Sequence, residues 1–432
     1  MLSREIQNGN RPRTEAFLWA AILVAAVAMA LCIKPRGDFL LHIEFGRRLV
    51  HGEFLYANGM HTPYPPFWAM LFAPFSVLPL RVALPLFFAV GFSSLIVLIR
   101  VVLQLALPHF PAEKKQRTLV VAAVLLVLMR FVQRDLVDGG ENLFIIALTW
   151  TGIWFFARRK PLPGGALLGL AIALKCTPLL FCGYFFLKRQ WVAAISTLAF
   201  ATAFSLTPAL VQGPQLYATH IKFWKNNLVA GLSQKDPSVG VLGPDELHNK
   251  ALKPMLARFL MRLPEGHPGR FPGAAHIDFF RFAPQTAGTI IKIITLLSGL
   301  VFVWLFSRSP RDFGNAALLW ECAIISVLML LFSPITWGQH CVATIPAALL
   351  IGLRIRTGRP AARWIPWCLG IVAAAFIFLN RSIIGFTFSQ LLESYHTVTF
   401  CLIALVAVLL AFWGEAEQIP ALPGAGASGK LP

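Results

Sequence analysis

RGDFLLHIEFGRRLVHGEFLYANGMHTPYPPFW, residues 36–68, begins just where the first apolar segment of the chain, 16–33, ends, and it places a carboxylate, Asp38, at that exit. Glu44 and Arg48 follow four residues apart, on one face of a helix, and Tyr64-Pro65-Pro66 leads back into apolar sequence. An amphipathic stretch between two hydrophobic ones, opened by an acidic residue, describes a site built at a bilayer surface. It favours an enzyme over a transporter, whose polar groups belong near the mid-plane.

The rest of the chain agrees with a membrane setting. Of 432 residues, 57% are hydrophobic and only 13% charged, and the mean hydropathy is +0.68, far too apolar for one water-soluble core. The formal net charge of +19 does not imply nucleic acid, because the basic residues come in short clusters between apolar runs and read as topology. The seven cysteines, Cys32, Cys176, Cys182, Cys322, Cys341, Cys368 and Cys401, lie in or beside apolar segments without a CxxC pair or a metal-ligand spacing, and read as packing residues without disulfides. Arg4, Arg11 and Arg13 precede the run Phe17 to Ile33 as in a signal peptide, but Ala28-Met29-Ala30 lies inside the run, which favours an uncleaved first helix.

Apolar segments fall at 16–33, 82–107, 118–132, 143–157, 164–175, 177–187, 192–211, 286–306, 314–332, 340–354, 364–380 and 395–413, about twelve candidate spans. Several are shorter than the ~20 residues of a straight crossing, and 164–187 reads either as a hairpin or as one helix kinked near Pro178. With the N-terminus inside, every second loop is basic: Lys114, Lys115 and Arg117; Arg158, Arg159 and Lys160; Lys188 and Arg189; Arg308 and Arg311; Arg354, Arg356, Arg359 and Arg363. That pattern favours the hairpin and puts both termini in the cytoplasm. The expected architecture is all-α and polytopic: one transmembrane domain over 1–413, outer loops 34–81 and 212–285 forming the active face, and a disordered cytoplasmic tail at 414–432. Residues 66–80, interrupted by Pro74 and Pro79, are expected as a re-entrant or interfacial helix, and 212–285 as a lid poor in core residues.

The candidates for chemistry gather on the outer side of this map. Asp38, at the edge of a hydrophobic wall, is either a carboxylate of raised pKa suited to general-base work or an interfacial helix cap. Gln133 to Asn142 holds Asp135, Asp138 and Glu141 at spacings that make no DxD metal site, and also suits a tight turn with Asn142 at a helix start. Lys175, in GLAIALKCTPLLF, has no charge near it and is expected to meet a phosphate, unless it only snorkels. Trp337 and His340 stand at the outer mouth of an apolar helix, as an anchor and a phosphate donor or as structural residues. His248 to Leu260, with Lys250, Lys253 and Arg258, either clamps a lipid phosphate or lies on anionic headgroups. Glu321, well inside a span, is expected to make an internal hydrogen bond.

In this order the segments resemble glycosyltransferase family 87, polytopic GT-C enzymes that use polyprenyl phosphate sugars, typically the mannose donor. The resemblance covers most of the chain. It rests on Asp38-Phe39, on Gly52 with Tyr56, on Tyr64-Pro65-Pro66 and on Leu78-Pro79. It continues in Gly140-Glu141-Asn142, Gly169 through Pro178, Asn249-Lys250-Ala251-Leu252, and Ser333, Pro334, Trp337 and His340. Glu141 stands where the family usually has Gln, and Lys250-Ala251 replaces Gln-Ser, departures that bear on sugar and acceptor specificity more than on the reaction class.

The resemblance implies a hexosyltransferase, mannosyl by preference, in a bacterial inner membrane. Asp38 would take the proton of an acceptor hydroxyl, with inversion through an oxocarbenium-like transition state. Lys175 and His340 would stabilise the departing lipid phosphate. Tyr64, Glu141, Asn142, Asn249, Lys250, Arg258 and Trp337 would complete the substrate site. It implies no cofactor and no metal, the lipid phosphate being a less demanding leaving group than a nucleotide diphosphate. The expected partners are the lipid-linked donor, a glycolipid or glycan acceptor and membrane lipid. The competing readings are a flippase or transporter of lipid-linked sugars, and a non-catalytic membrane partner.

Overall fold

Helix Ala316–Leu331 is enclosed by the rest of the protein: from Ala317 to Leu331 every side chain is buried, which is why its sequence is apolar on all faces. Helix Pro284–Arg308 is the opposite case. Only Ala287, Ile291 and Phe306 are buried, while Leu296, Leu297, Leu300, Val303 and Trp304 are exposed, a surface suited to lipid and not to water. The computed structural model describes residues 37–57, 62–270, 278–309, 315–358 and 362–417. The expected first helix with Cys32, residues 58–61, Arg311, Arg359 and the sequence beyond 417 lie outside the described residues.

Helix forms at each expected segment from 82–107 onward, but the lengths differ from a simple series of crossings. Five helices are long and apolar enough to cross a membrane: Leu80–Ala106, Trp191–Gln212, Pro284–Arg308, Gly338–Thr357 and Thr397–Ala416. This is a helical membrane protein. Asn142–Ala157, Pro161–Leu174, Thr177–Leu187, Ala316–Leu331 and Trp364–Phe378 are apolar but shorter, and Lys114–Val137 is longer but carries charge at both ends. The last helix continues to Glu417, into the first residues of the expected tail.

Residues 164–187 form a hairpin. Lys175 meets Asn142 at the start of helix Asn142–Ala157, whereas Phe185 packs edge-on against Phe156 near that helix's other end. The chain therefore runs out and back, with the reversal at Lys175 to Leu179. Close packing holds the first arm: a Cβ on Gly165 would lie 2.4 Å from Ser196 Oγ, and one on Gly169 2.7 Å from the Ala201 nitrogen. These two glycines, four apart, let helix Pro161–Leu174 approach Trp191–Leu206 nearly backbone to backbone.

The segment 66–80 forms a short helix, as expected of a re-entrant or interfacial element, whereas 212–285 differs from the expected lid. Helix Trp68–Ser76 has nine residues, too few to cross, and it presses so tightly on helix Asp38–Val50 that a Cβ on Gly46 would meet the Phe72 backbone at 2.5 Å. The described residues of 212–285 are more ordered than their Gly and Pro content suggests. They contain helix Pro214–Leu232, the hairpin Val239–Gly240 with Gly243–Pro244, and helix Leu252–Leu260.

At the far end of the bundle, Glu321 is not merely hydrogen-bonded internally. Its carboxylate lies 2.9 Å from Lys188 Nζ and accepts from Tyr184 at 2.6 Å and Trp413 at 3.1 Å, with Ser309 also in contact. Lys188, counted in the sequence as a loop cation, is 1% exposed. Breaking such a pair leaves a buried charge alone, at a cost of about 3–5 kcal/mol. Lys188→Met should therefore lower the thermal midpoint in lipid nanodiscs sharply, and the double variant Lys188→Met/Glu321→Gln should recover part of the loss. Additive losses would show that the two residues are not coupled.

Candidate functional site

Asp38 opens helix Asp38–Val50 directly after Gly37, whose φ of +65° turns the chain sharply into the helix. A carboxylate in the first turn is favoured by the helix dipole. Asp38 lines the wall of a mostly apolar cavity of about 530 Å³, and its pKa is raised. Burial is the main cause, His42 and Lys175 oppose it, and Glu141 and Asp138 add to it. Gln339 Nε2 donates to Asp38 Oδ2 at 3.4 Å.

Lys175 faces the same cavity. It is the residue after helix Pro161–Leu174, in extended conformation (φ −151°, ψ 123°), so its side chain leaves the helix end where the dipole favours a cation. Its Nζ donates to Asn142 Oδ1 at 2.8 Å and Glu141 Oε1 at 3.1 Å, and lies 3.3 Å from His340 Nε2. On the other side of the ring, His340 Nδ1 lies 3.2 Å from the Trp337 backbone nitrogen.

Glu141 and Asn142 are held from below. Glu141 is 1% exposed, and also faces the Tyr64 hydroxyl at 3.4 Å and His42 Nε2 at 3.5 Å. Burial alone would raise its pKa, but Lys175 and His42 outweigh that and keep the carboxylate ionised. His42 Nδ1 accepts from Trp68 Nε1 at 3.1 Å, which turns Nε2 toward Glu141. Asn142 donates to Asp135 Oδ1 at 2.7 Å, and Asp135 Oδ2 accepts from the Leu143 nitrogen at 2.9 Å. The carboxylate at the end of one helix thus caps the start of the next.

The cavity brings together Asp38, Tyr64, Lys175, Trp337 and His340, with Glu141 and Asn142 directly behind Lys175. It leaves out three residues expected at the site. Asn249 is buried, accepts from the Thr336 nitrogen at 2.9 Å and donates to the Pro334 carbonyl at 3.1 Å, so it braces the segment carrying Trp337 and His340. Lys250 is buried against Glu393, and Arg258 against the carbonyls of Ser394 and Gly269. Neither lies on a surface where headgroups would bind. Part of the remaining wall comes from 212–285, where Trp224, Leu228, Leu232 and Leu242 face the cavity, and part from 176–183 and 329–335. Gln339, His42 and Trp68 were not singled out in the sequence. Gln339 stands inside TWGQH, between two residues that were.

The sequence profile of glycosyltransferase family 87 matches residues 62–334. That range holds Tyr64, Glu141, Asn142 and Lys175, while Asp38, Trp337 and His340 lie outside it. The chain is 29% identical over 361 residues to the polyprenol-phosphate-mannose-dependent alpha-(1-2)-phosphatidylinositol mannoside mannosyltransferase of Mycobacterium tuberculosis, covering 78% of this chain and 75% of the relative. It is 26% identical over 342 residues to the protein of the same name from Mycolicibacterium smegmatis, covering 74% and 70%.

Proposed function

The chain belongs to glycosyltransferase family 87 and is a membrane hexosyltransferase, and we propose that it moves mannose from a polyprenyl phosphate to a hydroxyl of a lipid or glycan acceptor. The reaction takes place at the periplasmic face of a bacterial inner membrane, with about twelve crossings and both termini in the cytoplasm. The observation that carries this reading is the placing of a carboxylate, Asp38, and an ammonium, Lys175, on the wall of one mostly apolar cavity.

Each group has one task. The acceptor oxygen attacks the anomeric carbon and its proton passes to Asp38. The bond from that carbon to the phosphate oxygen breaks, and its electron pair leaves on the lipid phosphate. The second negative charge that appears there is met by Lys175, while Asn142 and Glu141 hold the ammonium in place before the donor arrives. The apolar wall suits the first prenyl units of the donor, and Tyr64 and Trp337 suit the faces of a sugar ring.

The donor class is tested directly. Membranes containing the native chain should pass label to endogenous acceptors from polyprenyl phosphate [14C]mannose, and should pass none from GDP-[14C]mannose when lipid-donor synthesis is blocked. Transfer from the nucleotide alone, or from neither, would remove the lipid-phosphate donor. Movement of labelled lipid across the membrane without any transfer would favour a flippase.

A further inference from the structure

A second cavity, of about 600 Å³, lies behind the Asp38 wall. The segment Trp337 to His340 is the partition: Trp337 and His340 face the first cavity, Gly338 faces the second, and Gln339 donates to Asp38. Asp138, on the wall of the second cavity, packs on Gly37, the residue before Asp38, at 3.5 Å from a Cβ built there. The second chamber thus approaches the Gly37–Asp38 turn from the Asp138 side, while the Asp38 side chain itself lines the first.

Their linings differ. The first is mostly apolar, while the second presents Arg130, Arg134, Arg381 and Gln390. Its acidic residues are engaged: Glu393 pairs with Lys250 and His248, and Asp138 with Arg134 at 3.5 Å. Arg130 and Arg381 have no carboxylate within ion-pair distance among the described residues. Arg130 lies over the Phe131 ring at 4.6 Å, and its Nη1 is buried without a hydrogen-bond partner, as is Oε1 of Gln390. A buried guanidinium nitrogen without an acceptor is costly unless a ligand supplies one. Gly338 keeps the space beside it open, since a Cβ there would sit 3.3 Å from Arg134 Nη1.

We infer that the second cavity is the acceptor site and that it takes an anionic acceptor, a phosphate-bearing glycolipid whose phosphate is gripped by Arg130 and Arg381. Guanidinium forks match phosphate oxygens in pairs, and an acceptor anchored there presents its hydroxyl to Asp38 from the side opposite the donor. The inference rests on the transferase reading for its chemistry, and on this cavity alone for its charge selectivity.

The test uses the purified full chain in nanodiscs, polyprenyl phosphate mannose, and two acceptors, a mannosylated phosphatidylinositol and a phosphate-free alkyl mannoside. In Arg130→Gln and in the exposed Arg381→Gln, kcat/KM for the charged acceptor should fall by about ten-fold or more through KM, and fall much less for the neutral one. Equal losses with both acceptors, no loss, or an effect confined to donor KM would overturn the site. Inorganic phosphate that competes with the charged acceptor in the native chain and not in the variants would assign the pocket to phosphate itself; absence of competition would assign it to the intact headgroup. If the native chain transfers nothing, the polyprenyl phosphate mannose donor is ruled out, and equilibrium binding of the same two lipids decides the site. Arginine-dependent preference for the charged lipid would uphold it, and equal binding would overturn it.

Discussion

Asp38→Asn is expected to lower mannosyl transfer by about 10²–10⁴-fold without lowering the thermal midpoint. An amide cannot take the acceptor's proton, but it keeps the size of the carboxylate and can still accept from Gln339 at the observed contact. The stability half follows from the sign of the pKa shift. Burial raises the folded pKa of Asp38 above its unfolded value, so this group favours folding when protonated, and the advantage is lost as pH rises through the raised value. Above that raised value the ionised carboxylate opposes folding, and the amide removes that opposition. Native kcat/KM should fall on the acid side at a pH above the ordinary carboxylate range, as the base becomes protonated. A variant that transfers as well as the native chain would remove Asp38 from catalysis, and one that loses activity only with a collapsed melting curve would make it a structural residue.

Much of the site is legible in the sequence because charge is scarce there. In a chain with 13% charged residues, a lone Lys175 between apolar runs or an Asp38 at a helix exit needs a partner or a role, and both face one cavity. Asn249, Lys250 and Arg258 mislead for the opposite reason. They stand in a polar loop where charge is ordinary, and pairing alone, with Thr336, Glu393 and the Ser394 carbonyl, decides that they point inward. Such partners lie 87 to 143 residues away, a separation that no local pattern encodes. Glu321 and Lys188, 133 residues apart, are hidden in the same way. Helix positions follow from apolar periodicity, but lengths do not, because a short helix enclosed by others satisfies its backbone as well as a long one does.

Lys175→Met should lower kcat by an amount on the order of 10²–10³-fold, with a smaller change in donor KM. The lipid donor is a phosphodiester with one negative charge, and its departing phosphate carries nearly two, so the ammonium gains most as the bond breaks. Met keeps the length and apolar stem of Lys175 while removing the charge, which leaves Glu141 without the cation 3.1 Å away. That carboxylate then repels the same phosphate, so the double variant Lys175→Met/Glu141→Gln should transfer faster than Lys175→Met alone. Glu141 also touches Tyr64 and His42, and the glutamine can keep its contact with Tyr64, so the rescue reads charge and not shape. A Lys175→Met enzyme with native kcat and a raised donor KM would mean that Lys175 only captures the donor. A double variant no better than the single one would place Glu141 too far from the phosphate to oppose it.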